Sequence, residues 1–126
     1  MINLIETLKE LNIVLPKATK PVANYSAYVI VNNKIYISGQ IPIKNGKLIY
    51  QGKIGKEVKL SEGVKSAEIC MINTLAVLNL ATNNNLDRVK SCIKINVFLN
   101  STDDFFDQPI VADGASNLLR KIFKNY

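Results

Sequence analysis

Residues 28–42 read YVIVNNKIYISGQIP, and this stretch decides much of the fold. Two runs rich in β-branched and aromatic residues, 28–31 and 34–38, flank the pair Asn32-Asn33. Such residues favour strands, and asparagine tolerates the positive φ values that a two-residue hairpin turn requires. The pattern predicts an antiparallel hairpin, whose second strand ends at the Gly-Gln-Ile-Pro sequence that follows.

The residues on either side of this hairpin predict a short helix, a linker and a second turn. Leucines recur at helical spacing among charged residues in 4–11, which predicts an amphipathic helix. Residues 16–21 begin and end with proline and carry no strand pattern, so we expect a linker there. Asn45-Gly46 predicts another tight turn before a short third strand at 48–50.

Two long amphipathic helices are predicted in the second half of the chain. Ser61 is expected to cap the first, with Glu62 in its first turn, and the asparagines at 83–85 end it. Asp103 or Asp104 is expected to cap the second. Between the helices, alternate residues are apolar, which predicts a strand with one buried face made of Ile93, Ile95, Val97 and Leu99.

This order of elements raises a physical problem at the end of the chain. A strand followed by a helix normally returns to its sheet as another strand, but the sequence stops at Tyr126. Three or four strands under two long helices would leave apolar helix surface uncovered and a sheet edge open. We expect either that another chain supplies the cover or that the sequence stops short of the native C-terminus.

Length and composition restrict the class of protein. The chain has 126 residues, 48% of them hydrophobic and 21% charged, which predicts one globular domain rather than a disordered chain or a coiled coil. No uninterrupted apolar run approaches the ~18 residues of a membrane helix. Residues 1–11 lack the basic start and the small-residue cleavage site of a secretory signal. We expect a cytoplasmic protein with no membrane partner.

Histidine is absent, and this removes several kinds of chemistry. A Ser-His-Asp triad, a Cys-His dyad and the zincin motif all need imidazole. Cys70 and Cys92 are far apart in sequence and form no CxxC pair, which argues against a zinc site or a redox pair. Both are expected to be small core residues rather than reactive thiols, and no metal is expected.

The net charge is +6, and the lysine excess is concentrated in residues 17–59, which hold eight lysines and a single acid, Glu57. A basic surface can bind RNA or an anionic substrate. Lysines interleaved with asparagine and glycine in turns also serve solubility, and no aromatic RNA-binding motif accompanies them here. We favour the second interpretation, so nucleic acid is not the expected partner.

Several segments together are similar to the RidA/YjgF family, whose older label is endoribonuclease L-PSP. They are Ala23-Asn24-Tyr25, the strand at 35–37 with Ser-Gly-Gln-Ile-Pro at 38–42, the Asn-rich turn before 86–89, and the strand at 94–99 before Asp104-Phe105. The leading helix, Asp107-Gln108-Pro109 and Gly114-Ala115-Ser116 resemble a subgroup with an N-terminal extension.

The resemblance implies an α+β, chorismate-mutase-like fold, in which two long helices pack on one face of a mixed sheet. Residues 1–126 would form a single domain that lacks the last two strands of the family. The resemblance also implies a homotrimer with ligand clefts between subunits, and no metal or organic cofactor. The implied activity is hydrolysis of reactive 2-imino acids, such as 2-iminopropanoate and 2-iminobutanoate, to 2-keto acids and ammonia.

The resemblance further implies which residues bind the substrate. Tyr25 matches the family's cleft tyrosine, Ser38 and Gly39 match the point where backbone groups approach the ligand, and Asp113 takes a position usually held by asparagine. Ordinary structural roles compete with these: a strand-edge aromatic, a strand terminator and a surface acid. The family's carboxylate-pairing arginine and its water-positioning acid lie on strands that this sequence does not contain, so no catalytic residue is assigned.

Three functions stay open at this point. The first is the imine deaminase, which predicts ammonia release from freshly generated 2-aminoacrylate. The second is an RNA-binding or RNA-cleaving protein, suggested by the older family label and the lysine excess, and it predicts binding that weakens with salt. The third is a trimer that binds a small ligand or acts like a chaperone without catalysis, which would fit the absence of the arginine.

Overall fold

The structure is a computed structural model, and it describes residues 3–18 and 20–123. The elements in chain order are α1 (Leu4–Glu10), β1 (Tyr28–Val31), β2 (Lys34–Ile37), β3 (Ile43–Lys44), β4 (Lys47–Leu48), α2 (Leu60–Ala81), a 3₁₀ turn (Leu86–Arg88) and α3 (Gln108–Ile122). Helices and antiparallel strands occupy separate parts of the chain, so the predicted α+β class is confirmed.

The first hairpin is the one that the sequence predicts. Strand β1 pairs antiparallel with β2, and Asn32 takes the left-handed conformation at φ 54° in the turn. The second turn is also confirmed, since Asn45 has φ 52° and Gly46 has φ 76° between β3 and β4. The strand expected at 48–50 lies earlier, at Lys47–Leu48, because Tyr50 adopts φ 56°, which an extended strand excludes.

Helix α2 begins slightly before the predicted position. Lys59 is the N-cap residue, and its backbone N–H donates to the Glu62 carboxylate at 2.8 Å, so Ser61 lies inside the first turn instead of capping it. The predicted end is confirmed, because Asn83 and Asn84 follow the helix at φ 54° and 61°.

Helix α3 begins later than predicted. Its N-cap position is Asp107, with Pro109 in the first turn, and the expected caps Asp103 and Asp104 lie in the preceding exposed segment. Proline suits the first turn because its fixed φ is helical and its missing N–H would have no helical acceptor there. The sequence prediction was wrong because it took Asp103 or Asp104 as the N-cap and did not use Pro109 as a sign of the first turn.

The core lies between α2 and α3, with α1 across one end. Gly114 of α3 lies so close to the carbonyl oxygen of Val64 in α2 that a Cβ at this position would overlap it. Helix α1 buries Leu4 and Leu8, and its first N–H donates to the Asp87 carboxylate at 2.9 Å. The largest fully buried side chains are Phe123, Leu4, Leu86, Ile122, Val77 and Val111.

Segment 90–99, which contains the strand predicted at 92–99, forms no sheet ladder in the described part of the chain. Its backbone makes no backbone–backbone hydrogen bond with any other described residue. Ile95 and Leu99 pack against the core as expected, but Ile93 and Val97 are 77% and 37% exposed although both were predicted to be buried. A strand requires a hydrogen-bonded neighbour, and sequence alternation alone does not supply one.

By length and composition alone, α2 could cross a membrane. The sequence shows no uninterrupted apolar run at this helix because Lys65 and Glu68 lie within it. In this fold α2 packs against α3 and both strands of the first hairpin, so it serves as the central core helix.

Candidate functional site

A small pocket of about 60 Å³ lies where the linker before β1 meets the loop after β2. The linker contributes Lys20 and Tyr25, the loop contributes Gly39 and Gln40, and α2 contributes Asn73. This volume holds one or two water molecules or a small functional group such as a carboxylate. The pocket is open on one side, so the described residues form part of a site.

Ser38 holds the two walls of the pocket together. Its backbone N–H donates to the Ala27 carbonyl at 3.0 Å, and its hydroxyl donates to the Ser26 carbonyl. These bonds extend the contact between β1 and β2 beyond the hairpin, and they bring the segment that carries Tyr25 next to Gly39. The Ser38 side chain therefore shapes the pocket and is occupied by a hydrogen bond of its own.

Gly39 forms the floor of the open space. A Cβ built on it would meet no atom within 4 Å, and the residue has no positive φ. Neither packing nor backbone conformation of the described residues requires glycine here, in contrast to Gly114. A side chain at position 39 would instead occupy the pocket.

Within the described residues, the loop after β2 has three unpaired backbone donors, and the carbonyl oxygens of Ile41, Pro42 and Ile43 accept hydrogen bonds while those of Gly39 and Gln40 do not. The backbone N–H groups of Gly39, Gln40 and Ile41 have no acceptor within residues 3–18 and 20–123. By contrast, the Ile43 N–H donates to the Ile41 carbonyl at 2.8 Å, and the Ile49 N–H donates to the Pro42 carbonyl at 2.9 Å. Consecutive unpaired N–H groups favour an anion over a cation.

Asn73 connects this loop to α2. Its side-chain amide donates to the carbonyl oxygens of Ile41 at 3.1 Å and Ile43 at 2.9 Å. Gln40 adds a third amide contact, because its side chain donates to the Ser38 carbonyl at 3.1 Å. The loop is therefore restrained by side chains on both sides of the unpaired N–H groups.

Tyr25 and Lys20 provide the remaining polar groups. The Tyr25 side chain lines the pocket and is 47% exposed, and its backbone N–H donates to the Ala23 carbonyl at 2.9 Å. Lys20 is the cation of the pocket and forms no ion pair within the described part of the chain. Both can reach a small ligand from the linker side.

Asp113 does not join this pocket. It lies on the exposed side of α3, where its carboxylate is 3.5 Å from the Ser116 hydroxyl. The structure therefore brings Tyr25 and Gly39 together, with Ser38 beside them, and leaves Asp113 apart within one chain.

Sequence reasoning missed Lys20, Gln40 and Asn73. Gln40 belongs to the Ser-Gly-Gln-Ile-Pro segment, and Asn73 is a polar residue in the apolar run of α2, which was a usable signal. Lys20 lies in a linker without periodicity, and nothing in the sequence distinguishes it from the other lysines.

The cysteine thiols lie outside the pocket and are poor nucleophiles. Burial raises the pKa of Cys70 to about 11, and burial also raises the pKa of Cys92 above its ordinary value. Both thiols are therefore neutral at pH 7, and a neutral thiol attacks weakly. Among the residues that the structure describes, no three His, Cys, Asp or Glu side chains converge on a metal-sized site.

Comparison with known proteins shows the family of the chain. Residues 6–126 match the family described as "YjgF/chorismate mutase-like, putative endoribonuclease". Protein TCP17 of Trypanosoma cruzi is 36% identical over 116 residues, which are 92% of this chain and 72% of that protein. Protein mmf1, mitochondrial, of Schizosaccharomyces pombe is 35% identical over 81 residues, 64% of this chain and 41% of that protein.

Two solved structures have the same fold. Protein Atu1372 of Agrobacterium tumefaciens, described as having unknown function, is 36% identical with a TM-score of 0.86, and the match covers 95% of this chain and 73% of that one. A "putative endoribonuclease" of Shewanella oneidensis is 32% identical with a TM-score of 0.85, covering 95% and 79%. With the sequence family matched over nearly the whole length and the fold shared, the chain belongs to the YjgF/chorismate mutase-like family.

Proposed function

We propose that this protein is a cytoplasmic hydrolase that converts reactive 2-imino acids to 2-keto acids and ammonia. The observation that carries the proposal is the row of backbone N–H groups at Gly39, Gln40 and Ile41, which find no partner among residues 3–18 and 20–123 and belong to residues that line a small pocket. Such a row complements the carboxylate that every 2-imino acid carries. Membership of the family, together with the activity that the resemblance implies, supports the same reaction.

The reaction asks little of the protein. Water adds to the carbon of the protonated imine, and one proton moves from the added oxygen to nitrogen. The C–N bond then breaks to release ammonia while the remaining hydroxyl gives its proton to solvent water, which forms the carbonyl. The imine carbon is already electrophilic, so the proposal needs no metal or organic cofactor. The protein contributes by holding the carboxylate and orienting the imine carbon toward water.

We also propose that the working form is a homotrimer whose ligand clefts lie between subunits. The outer face of the first hairpin supports this proposal, because Val29, Val31 and Tyr36 lie on it and are 53%, 49% and 60% exposed. Exposed apolar surface of this kind is typical of an interface. A neighbouring subunit would also close the open side of the pocket.

The unpaired backbone of 90–99 supports a related proposal about the domain. The sheet would be completed by further strands, as the family resemblance implies, and these strands would carry the missing arginine. We propose that these strands belong to polypeptide outside the 126 residues of this sequence.

The test of the function is direct. The protein is mixed with 2-aminoacrylate that a lyase generates in the same cuvette, and ammonia release is compared with the reaction in buffer. We expect acceleration that rises in proportion to protein concentration. Hydrolysis at the buffer rate, measured with the intact protein at a known oligomeric state, would contradict the proposal.

RNA cleavage is the second candidate, since the family description includes the word endoribonuclease and the chain carries a net charge of +6. If RNA were the ligand, binding would weaken steeply with salt, because each phosphate contact releases a counterion. Binding of RNA at low salt only, without cleavage, would leave the hydrolase as the better proposal. A trimer that binds 2-keto acids without hydrolysing imines would identify the third function, a ligand-binding protein.

A further inference from the structure

We propose that Asn73 is a positioning residue for the pocket: its carboxamide holds the carbonyl oxygens of Ile41 and Ile43 toward α2, so that the backbone N–H groups of the loop stay available to the substrate. The inference rests on the proposed function, and it assigns to α2 a part in substrate binding. In this proposal Asn73 affects substrate binding by positioning the loop.

The geometry of the two hydrogen bonds carries this proposal. A carboxamide nitrogen has two N–H donors, and Asn73 Nδ2 lies 3.1 Å from the Ile41 carbonyl oxygen and 2.9 Å from the Ile43 carbonyl oxygen. The acceptors belong to residues about thirty positions earlier in the chain. One side chain thus connects α2 to the loop at two points, the carbonyl oxygens of Ile41 and Ile43.

These bonds affect the charge that the loop presents. A carbonyl oxygen facing the pocket would repel a carboxylate, whereas an oxygen that already accepts a hydrogen bond from α2 is held away from it. With the acceptors of Ile41 and Ile43 held, the neighbouring N–H groups of Gly39, Gln40 and Ile41 keep no internal partner in the described residues. Because two of the loop's carbonyl oxygens are held by α2, we expect the remaining N–H groups to favour an anion.

Asn73 contributes less to the core than its neighbours on α2. The flanking residues Met71 and Leu75 are 6% and 2% exposed and belong to the main hydrophobic cluster, whereas Asn73 is only partly buried. The loop also retains the bonds at Ser38 and Pro42 that do not involve α2. Loss of the amide is therefore expected to move the middle of the loop while the fold remains.

The test replaces Asn73 by aspartate, which has nearly the same shape, no donor at neutral pH and a charge that repels both carbonyls. Asn79→Asp is the matched control, since Asn79 lies on the same helix and donates to the exposed side chain of Asn84 at 3.1 Å. For imine hydrolysis we expect Asn73→Asp to raise KM by about tenfold or more with little change in kcat, as removal of a binding interaction does. Asn79→Asp is expected to leave both unchanged.

A second readout does not depend on catalysis. In heteronuclear NMR spectra, the amide resonances of Gly39, Gln40 and Ile41 are expected to shift in Asn73→Asp and to lose their response to added pyruvate, the 2-keto acid product. Asn73→Ala removes the donors without adding charge. We expect it to change the same resonances and to weaken their response to pyruvate, and it replaces the aspartate variant if that variant does not fold.

The outcomes separate the two proposals. If the unmodified protein hydrolyses no imine, the proposed function fails, while the loop resonances still decide the role of Asn73. If both Asn73 variants keep the loop resonances of the unmodified protein, the positioning role is overturned. A fall in kcat and in the melting temperature with KM unchanged would also overturn it, because that pattern indicates a structural role only.

Discussion

Gly39 combines open space where a side chain would lie with a backbone conformation that does not require glycine. A Cβ at Gly52 or Gly114 would clash with protein atoms, and Gly46 has open space but a φ of 76°. A glycine that the protein's own packing does not require points to a role toward a ligand.

We predict that Gly39→Val abolishes measurable imine hydrolysis and leaves stability nearly unchanged. The isopropyl group would fill much of a pocket of about 60 Å³ without meeting protein atoms at its Cβ. Initial rates and thermal unfolding of the same preparation check this. Full activity in Gly39→Val would show that the substrate binds elsewhere.

A second prediction at this scale concerns Cys70 and pH. Burial raises the pKa of its thiol from the ordinary value of 9.0 to about 11, so folding favours the protonated form. The stabilisation is fully present below about pH 9 and is lost as the pH rises through about 11. The free energy of unfolding of the unmodified protein should therefore fall relative to that of Cys70→Ala over this range.

Lysine and tyrosine side chains titrate in the same window, so the comparison with Cys70→Ala is the control that isolates the thiol. A thiol reagent at pH 8 should also modify Cys70 slowly in the folded protein and rapidly in denaturant. A parallel pH dependence of the two proteins would show that the thiol is not shielded from solvent.

Among the elements, α2 has two functions. One side packs against α3 to form the core, and Asn73 reaches the loop at the pocket from the same helix. Because the core fixes the axis of α2, it also fixes the distance between Asn73 and the carbonyls of Ile41 and Ile43. A change in helix packing is therefore expected to alter the pocket.

We predict that Gly114→Ala destabilises the protein by about 3 kcal/mol, the upper part of the usual range for overpacked cores. The added Cβ would overlap the Val64 carbonyl, which belongs to helix backbone and cannot move independently. Gly63→Ala is the matched control, because its Cβ would meet the end of the flexible Ile54 side chain at 2.9 Å. Chemical denaturation measures both, and equal losses would contradict the prediction.

For the whole molecule, the exposed surfaces are more informative than the core. Val29, Val31 and Tyr36 are exposed beside Lys34 on the outer face of the first hairpin. Segment 90–99 makes no backbone–backbone hydrogen bond within the described ranges. These features support the proposed trimer and the proposed additional strands.

We predict that Tyr36→Lys, which places a second charge on the outer face of the hairpin, converts the proposed trimer to monomers. Light scattering or sedimentation at one protein concentration checks this. Ile110→Lys on α3 is the control, since Ile110 is also exposed, at 46%, but does not lie on the hairpin. If the unmodified protein stays monomeric at every protein concentration, that result would contradict the proposed assembly.

The sequence by itself determined the local elements of this protein. The turns at Asn32 and Asn45, the end of α2 at its asparagines and the apolar stripes of the helices depend on φ preferences and periodicity within a few residues. The predicted N-cap residues of α2 and α3 were less accurate, because several polar residues near the start of each helix could take the N-cap position. The similarity of a few segments to a family then indicated the fold.

Only the tertiary structure decided the pocket and the state of segment 90–99. Asn73 meets Ile41 and Ile43 from about thirty residues away, and Lys20 lines the same pocket as Gly39 although it lies in a linker without periodicity. Alternation predicted a strand at 90–99, but a strand also needs a partner. Hydrogen bonds between distant segments depend on how whole elements pack, and that information is not contained in any local pattern.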